Sequence, residues 1–294
     1  MSEGAVAAIP ETEVFEGDPV PRAPSRSGRV GRRPWGTYLL WFVTILGFAY
    51  LFIPLITIVV FTFNDPGSKF NTEWKSFTWD NWANAFQSTE YTDALIVSLK
   101  VAFVSCVIAT IFGTLIALAL GRYRIHGGAL WNMLLVLPLT TPEIVFGASL
   151  FTLFFNQGAS RGFWTIVITH CAFTISFVAL TVKARIRGLD WSLEDAASDL
   201  GSPPLRTFMT ITFPLIIPGI IAAFLLSLSL SIDDYIITSF VAGDVSTLPR
   251  KIFDSSKVQI LPQVHVLATM IMVVAILILV TGTVAGNRRR AKAG

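Results

Sequence analysis

Charged residues are scarce in this sequence, at 14% of 294 positions, where soluble domains carry about a quarter. Too little charge remains to coat a water-facing surface, which excludes an ordinary soluble domain. Cysteine is scarcer still. Cys106 and Cys171 both lie inside apolar runs, which argues against a disulfide scaffold and a thiolate metal site. The three histidines, His126, His170 and His265, show no metal-ligand spacing to one another or to an acidic cluster. His170 sits within an apolar run, where a hydrogen-bonded packing role is expected. No G-x-x-x-x-G-K-[ST] occurs, so the loop that cradles nucleotide phosphates is missing. No catalytic constellation of an integral membrane enzyme is found.

What is present in quantity is apolar sequence: 53% of residues, with a mean hydropathy of +0.65. The net charge of +3 does not point to nucleic acid, because the basic residues fall in short clusters beside apolar runs, a membrane pattern. Residues 1–34 mix Pro, Gly, Glu and Arg without apolar periodicity and read as a disordered tail that turns basic at Arg22, Arg26, Arg29, Arg32 and Arg33. The apolar run that follows is longer than a signal-peptide core and lacks a small-residue cleavage site, so it is expected to remain as an anchor.

A helix needs roughly 20 apolar residues to cross a bilayer, and six stretches qualify. They are about Trp35–Phe63, Asp93–Leu120, Ala129–Phe155, Phe163–Val182, Pro214–Phe240 and Val264–Ala285. The chain is thus predicted to be all-α and polytopic, with a six-span domain over 35–286 and a basic tail over 287–294. Pro54 suggests a kink in the first span, and Pro138 through Glu143 interrupts the third. Between the first two spans, Asp80 is expected to cap a short interfacial helix carrying Trp82 and Phe86. Six spans place both termini on one side. Lys and Arg concentrate in the tail, the loop at Arg122, the polar stretch before the fifth span and the C-terminus, so these are expected to be cytoplasmic.

That polar stretch, Lys183–Phe213, organises the chain. It carries Lys183, Arg185, Arg187 and Arg206, and its centre, about 190–211, reads as two short helices back to back. Ser192 and Asp195 have capping-box spacing, predicting a helix over about 193–200. Gly201 suits the left-handed residue that ends it, and Ser202 with Pro203 suits the start of a second helix. The product is a stiff elbow presented outside the bilayer.

The elbow also resembles the signature of permease subunits of binding-protein-dependent ABC importers: E-A-A, three residues, G, nine residues, I-x-L-P. Here Asp195-Ala196-Ala197 is followed by Gly201 and then Ile211-Thr212-Phe213-Pro214. Asp replaces Glu and Phe replaces Leu, and Glu194 offers the longer carboxylate one position earlier. Leu137-Pro138, Pro142-Glu143-Ile144-Val145, Leu228–Phe240, Thr247-Leu248-Pro249 and Leu267-Ala268-Thr269 extend the likeness to the permeases of polyamine (spermidine/putrescine) importers.

The resemblance implies a type I importer permease in the cytoplasmic (inner) membrane of a bacterium. It implies a second permease subunit, a pair of ATPase subunits that bind ATP and Mg, and an extracytoplasmic substrate-binding protein. No cofactor is expected in this chain, which would not itself be an enzyme. The ATPase-coupling residues would be Glu194, Asp195, Ala196, Ala197, Gly201, Arg206 and Pro214, with Glu194 and Asp195 pairing with basic residues of the ATPase.

An ionisable group within a span needs a partner or a wet path. Glu143, Asp233 and Asp234 are candidates to line a cation path, with Trp164, Phe146 and Tyr235 supplying cation–π contacts. The alternative is that one Asp caps a broken helix or pairs with Lys100, a residue also placed to snorkel outward. Ser227, Ser229 and Ser231 alternate, so they do not share one helix face, and at least one is expected to aid close packing. Rival functions are a permease for another solute (iron, sulfate or another organic cation) or an ion-coupled carrier, which predicts internal repeats or a complete coupling site in one chain.

Overall fold

Pro142 and Asp234 decide where two spans of this chain break. The computed structural model describes residues 34–123 and 125–293; the expected tail up to residue 33 and Arg124 lie outside them. The order is α1 (Pro34–Phe61), β1 (Asn64–Asp65), β2 (Ser76–Phe77), α2 (Asp80–Ala83), α3 (Thr89–Arg122), α4 (Gly128–Thr140), α5 (Glu143–Asn156) and α6 (Phe163–Arg187). Then come α7 (Ser192–Asp199), α8 (Pro204–Thr207), a π turn (Phe208–Thr212), α9 (Phe213–Ile232), α10 (Ile236–Val241), α11 (Leu248–Ser256) and α12 (Pro262–Ala293). Among the described residues, five helical stretches are long and apolar enough to cross a membrane, and six when the bent pair α4–α5 is counted as one span.

Of the described residues, 34–54 form a unit of their own. Within it, residues 35–54 of α1 expose every side chain, which suits an apolar helix bathed in lipid. The rest of the chain, from Leu55, is built on α3, α6 and α9. Their contact buries Ala109, Ala117, Cys171, Val178, Val182, Ile186, Ile216 and Ala223. Small residues let the backbones approach: a Cβ on Gly113 would lie 2.6 Å from Val178 Cγ1, and one on Gly219 would lie 2.7 Å from the Arg185 stem. Both cysteines are buried and unpaired, in keeping with their place in apolar runs.

The third span breaks where expected. Thr141, forced toward extended backbone by the following proline, has ψ 128°, and Pro142 has ψ 132°. The two halves meet at 103°. The fifth span differs from the expected continuous helix over Pro214–Phe240. It begins earlier, running on from α8 through the π turn, and stops at Ile232. Asp234 restarts it by accepting the amides of Ile237 (3.3 Å) and Thr238 (2.8 Å), the role of a helix-capping carboxylate.

At the end of the bundle away from α7, buried asparagines stitch the loop after α1. Asn64 bonds Asn71 at 2.7 Å, and Asn81 donates to the carbonyls of Thr62 and Asn64 at 2.9 Å. The short helix expected there is α2, with Trp82 inside it and Phe86 beyond its end; Asp80 is its first residue rather than its cap, a position that falls to Trp79. The polar stretch between the fifth and sixth spans holds α11, which starts with Pro249 in the first turn. The helical backbone of α12 continues to Ala293 through the described part of the expected basic tail.

Candidate functional site

The elbow forms through local chemistry, partly by a different route from the one its spacing suggested. No capping box forms between Ser192 and Asp195: α7 starts after Trp191 without a side-chain cap. Asp190 does that work from outside, accepting the Ser192 amide at 3.0 Å. The Ser192 hydroxyl and amide hold the exposed Asp190 carboxyl below the usual carboxylate range.

The end of α7 follows the expectation. Gly201 has φ +79°, its amide reaches Ser198 O (2.9 Å), and the Ser202 amide reaches Ala197 O (3.0 Å). This paired return satisfies the last carbonyls of the helix. The second helix starts one residue later than read, with Pro203 outside it and Pro204 first. Ser202 accepts a hydrogen bond from the Thr207 hydroxyl at 3.0 Å instead of capping an amide.

Most of the elbow is exposed. Asp195, Ala196, Gly201, Arg206 and Pro214 are exposed and Ala197 is half-buried. Leu193, Leu205 and Met209 are exposed with them, and Leu200 is 89% exposed. Large apolar side chains displayed on a polar loop mark a surface made to be covered.

Glu194 does not share that exposure. It is 6% exposed, and its Oε2 stands 2.6 Å from Arg122 Nη2. Its Oε1 accepts from Arg122 Nη1 at 3.2 Å and from the Thr212 hydroxyl. The outward pairing expected of Glu194 is therefore corrected: its carboxylate is consumed inside this chain. Among the expected basic elbow residues, Lys183 is also turned inward, donating from α6 to Asn132 Oδ1 on α4.

The acidic trio separates in the same way. Asp234 is turned into the bundle, its side chain 8% exposed and 3.3 Å from His170 Nε2. Its Oδ2 accepts both the amide (2.8 Å) and the hydroxyl (2.7 Å) of Thr238. His170 also bonds Ser231 Oγ (2.7 Å) and Thr238 Oγ1 (2.8 Å), so a hydrogen-bonded packing role holds for it. The expectation of a path-lining Asp234 gives way to its alternative, a carboxylate that caps a broken helix.

Asp233, its neighbour, is exposed. It lines a cavity of about 550 Å³ together with Ser98, Tyr235, Leu248, Phe253 and Ile271. The rings of Tyr235 and Phe253 lie 4.4 Å apart there. A carboxylate beside two aromatic rings in an otherwise apolar hollow is suited to an ammonium group. Glu143, exposed in the first turn of α5, and Trp164, exposed on α6, do not line it. Phe146 packs on Phe173 at 5.9 Å, and Lys100 is exposed on α3.

The aromatic partner that the sequence did not reveal is Phe253, because it sits on α11 within a stretch that reads as a polar loop. Thr247-Leu248-Pro249 was its only signal, a Pro in the first turn of a helix. Among the described residues, no group of His, Cys, Asp and Glu is placed to hold a metal ion.

Comparison with known proteins accords with this geometry. Residues 109–292 match the family of binding-protein-dependent transport system inner membrane components. The chain is 35% identical over 234 residues to the spermidine/putrescine transport system permease protein PotC of Haemophilus influenzae, covering 79% of this chain and 90% of that one. It is 36% identical over 251 residues to the putrescine transport system permease protein PotI of Escherichia coli K12, covering 83% and 87%. In structure it resembles a chain of a bacterial ABC transporter that imports the acidic polysaccharide alginate, with TM-score 0.65, 14% identity and coverage of 86% and 97%. A chain of an amino acid ABC transporter matches with TM-score 0.55, 20% identity and coverage of 72% and 100%. The chain belongs to the family of binding-protein-dependent transport system inner membrane components, the permease subunits of ABC importers.

Proposed function

We propose that this permease moves polyamines, spermidine or putrescine, across the bacterial inner membrane, driven by ATP hydrolysed in a separate pair of ATPase subunits. The observation that carries this reading is the elbow. Its family signature falls on a helix–Gly–helix turn that exposes Asp195, Ala196, Leu200, Leu205 and Arg206 beside the spans. The polyamine assignment draws its support from relatives named for spermidine and putrescine and from the cavity around Asp233, Tyr235 and Phe253.

In this reading both termini and the elbow face the cytoplasm, supported by the concentration of Lys and Arg in those segments. A second permease subunit completes the pore, and an extracytoplasmic binding protein delivers the solute. ATP and Mg belong to the ATPase, and this chain needs no cofactor. Asp233 would offset part of the desolvation of a substrate ammonium, with Tyr235 adding cation–π attraction of about 0.5–2 kcal/mol. Glu143 and Trp164, both exposed, would meet the solute outside that cavity.

The test is uptake by proteoliposomes holding the whole complex with its binding protein, given putrescine, spermidine and unrelated solutes. ATP-dependent uptake confined to the polyamines is expected. Uptake of another solute in their place would overturn the substrate, and uptake without ATPase subunits would overturn the class.

A further inference from the structure

Glu194 is an odd residue for its setting. Leu193, Asp195 and Ala196 on the same short helix are exposed, yet Glu194 is 6% exposed. Its carboxylate joins three segments. Arg122, which approaches it with both terminal nitrogens at 2.6 and 3.2 Å, is the last residue of α3. A cation there also meets the negative end of that helix. Thr212, 2% exposed, is the last residue of the π turn that leads into α9. Glu194 itself belongs to α7. Arg122 is held in place by the ring of Trp191, 5.5 Å away, and that of Tyr123, 5.8 Å away.

The π turn sharpens the point. Turns of this type are rare, less regular in their hydrogen bonding than an α-helix, and frequent at functional sites. This one lies where the elbow becomes a membrane-crossing helix. Arg–carboxylate pairs with two contacts fix direction as well as distance, so α7 cannot shift without carrying the end of α3 and the start of α9.

We propose that Glu194 is a positioning residue, an internal latch that locks the elbow to α3 through Arg122 and to the π turn through Thr212. Displacement of the elbow is thereby delivered to two spans at once. The proposal rests on the elbow being the ATPase-docking element, and it removes Glu194 from the docking face. ATPase attachment then depends on exposed residues such as Leu200, while transmission depends on the latch.

The experiment uses the full complex in proteoliposomes, with retention of the ATPase on affinity purification and solute moved per ATP hydrolysed as separate readouts. Glu194→Gln should retain the ATPase while transport per ATP falls by about tenfold, the scale of a lost charge-assisted contact. Exchanging the partners, Arg122→Glu with Glu194→Arg, should recover part of that ratio. Loss of the ATPase from the Glu194→Gln complex, or an unchanged ratio, overturns the latch. Should Glu194→Gln fail to accumulate, Thr212→Val decides. It should lower the ratio while Thr212→Ser, which keeps the hydroxyl, rescues it; equal behaviour of the two overturns the proposal. Leu200→Asp tests the underlying reading separately: retention of the ATPase by that variant would remove the elbow as the docking element, whatever the latch does.

Discussion

Asp234 and His170 hold each other inside the bundle, 3.3 Å from carboxylate to Nε2, while Asp233, adjacent in sequence, opens on a cavity. Two identical side chains on consecutive residues thus have opposite surroundings. Asp234 ties α10 to α6 and caps free amides at the break, which in the proposed function leaves Asp233 and Tyr235 to meet solute. Substitution should separate the two. Asp233→Asn is expected to lower polyamine uptake by about tenfold, the scale of one charged contact, with thermal stability in detergent unchanged. Asp234→Asn should instead lower the melting temperature, because a buried network loses a capping oxygen and a partner for His170, at about 1–3 kcal/mol. Both measurements on both variants are needed; a matching pattern in the two would refute the division.

His170 completes the same network through Ser231 and Thr238. Replacing it with Leu, close in size but without hydrogen bonds, leaves both hydroxyls and Asp234 short of a partner in a low-dielectric interior. A loss of about 1–3 kcal/mol is expected, measured by thermal unfolding of the detergent-solubilised complex. An unchanged melting temperature would show that the network carries no stability.

Close packing of α3 on α6 sets a different limit. A Cβ on Gly113 would sit 2.6 Å from Val178 Cγ1 and 3.1 Å from the Ile175 carbonyl. Gly113→Val should destabilise by about 1–3 kcal/mol through overpacking, and adding Val178→Ala should relieve part of the loss. Thermal unfolding of the single and double variants checks this, and equal melting temperatures for the two would contradict the contact.

Orientation can be read with thiol labels, since both natural cysteines are buried. A membrane-impermeant maleimide added to whole cells should label Asp244→Cys, which replaces an exposed residue in the turn after α10. His126→Cys, which replaces an exposed residue in the turn before α4, should label only after the membrane is opened. The reverse pattern would invert the topology.

Much of this was legible in the sequence because it is local. Six apolar runs, the bend at Pro138–Pro142 and the left-handed Gly201 all follow from hydropathy and backbone preference, which neighbouring residues alone decide. The features that escaped depend on distant partners. Neither the alternating Ser227, Ser229 and Ser231 nor the run Ile236–Phe240 distinguishes a span that stops at Ile232 from one that continues to Phe240. The break is made by Asp234 folding back on Thr238 with His170 behind it. Glu194 looked like a docking residue beside Asp195, since only the arrival of Arg122, 72 positions earlier, turns it inward. Phe253 joined the cavity through a helix in a stretch too polar to read as one.

In the proposed function a stiff elbow carries ATP-driven motion into the spans, and Gly201 is its most sensitive point. A Cβ there would meet no atom of this chain within 4 Å, yet φ is +79°, so within the chain a substitution acts through backbone conformation, at about 1–2 kcal/mol. The most direct measurement is solute moved per ATP hydrolysed by the reconstituted complex carrying Gly201→Val. The expected result is a chain that still inserts and spans the membrane but transports several-fold less solute per ATP. Transport per ATP equal to that of the unaltered complex would contradict it.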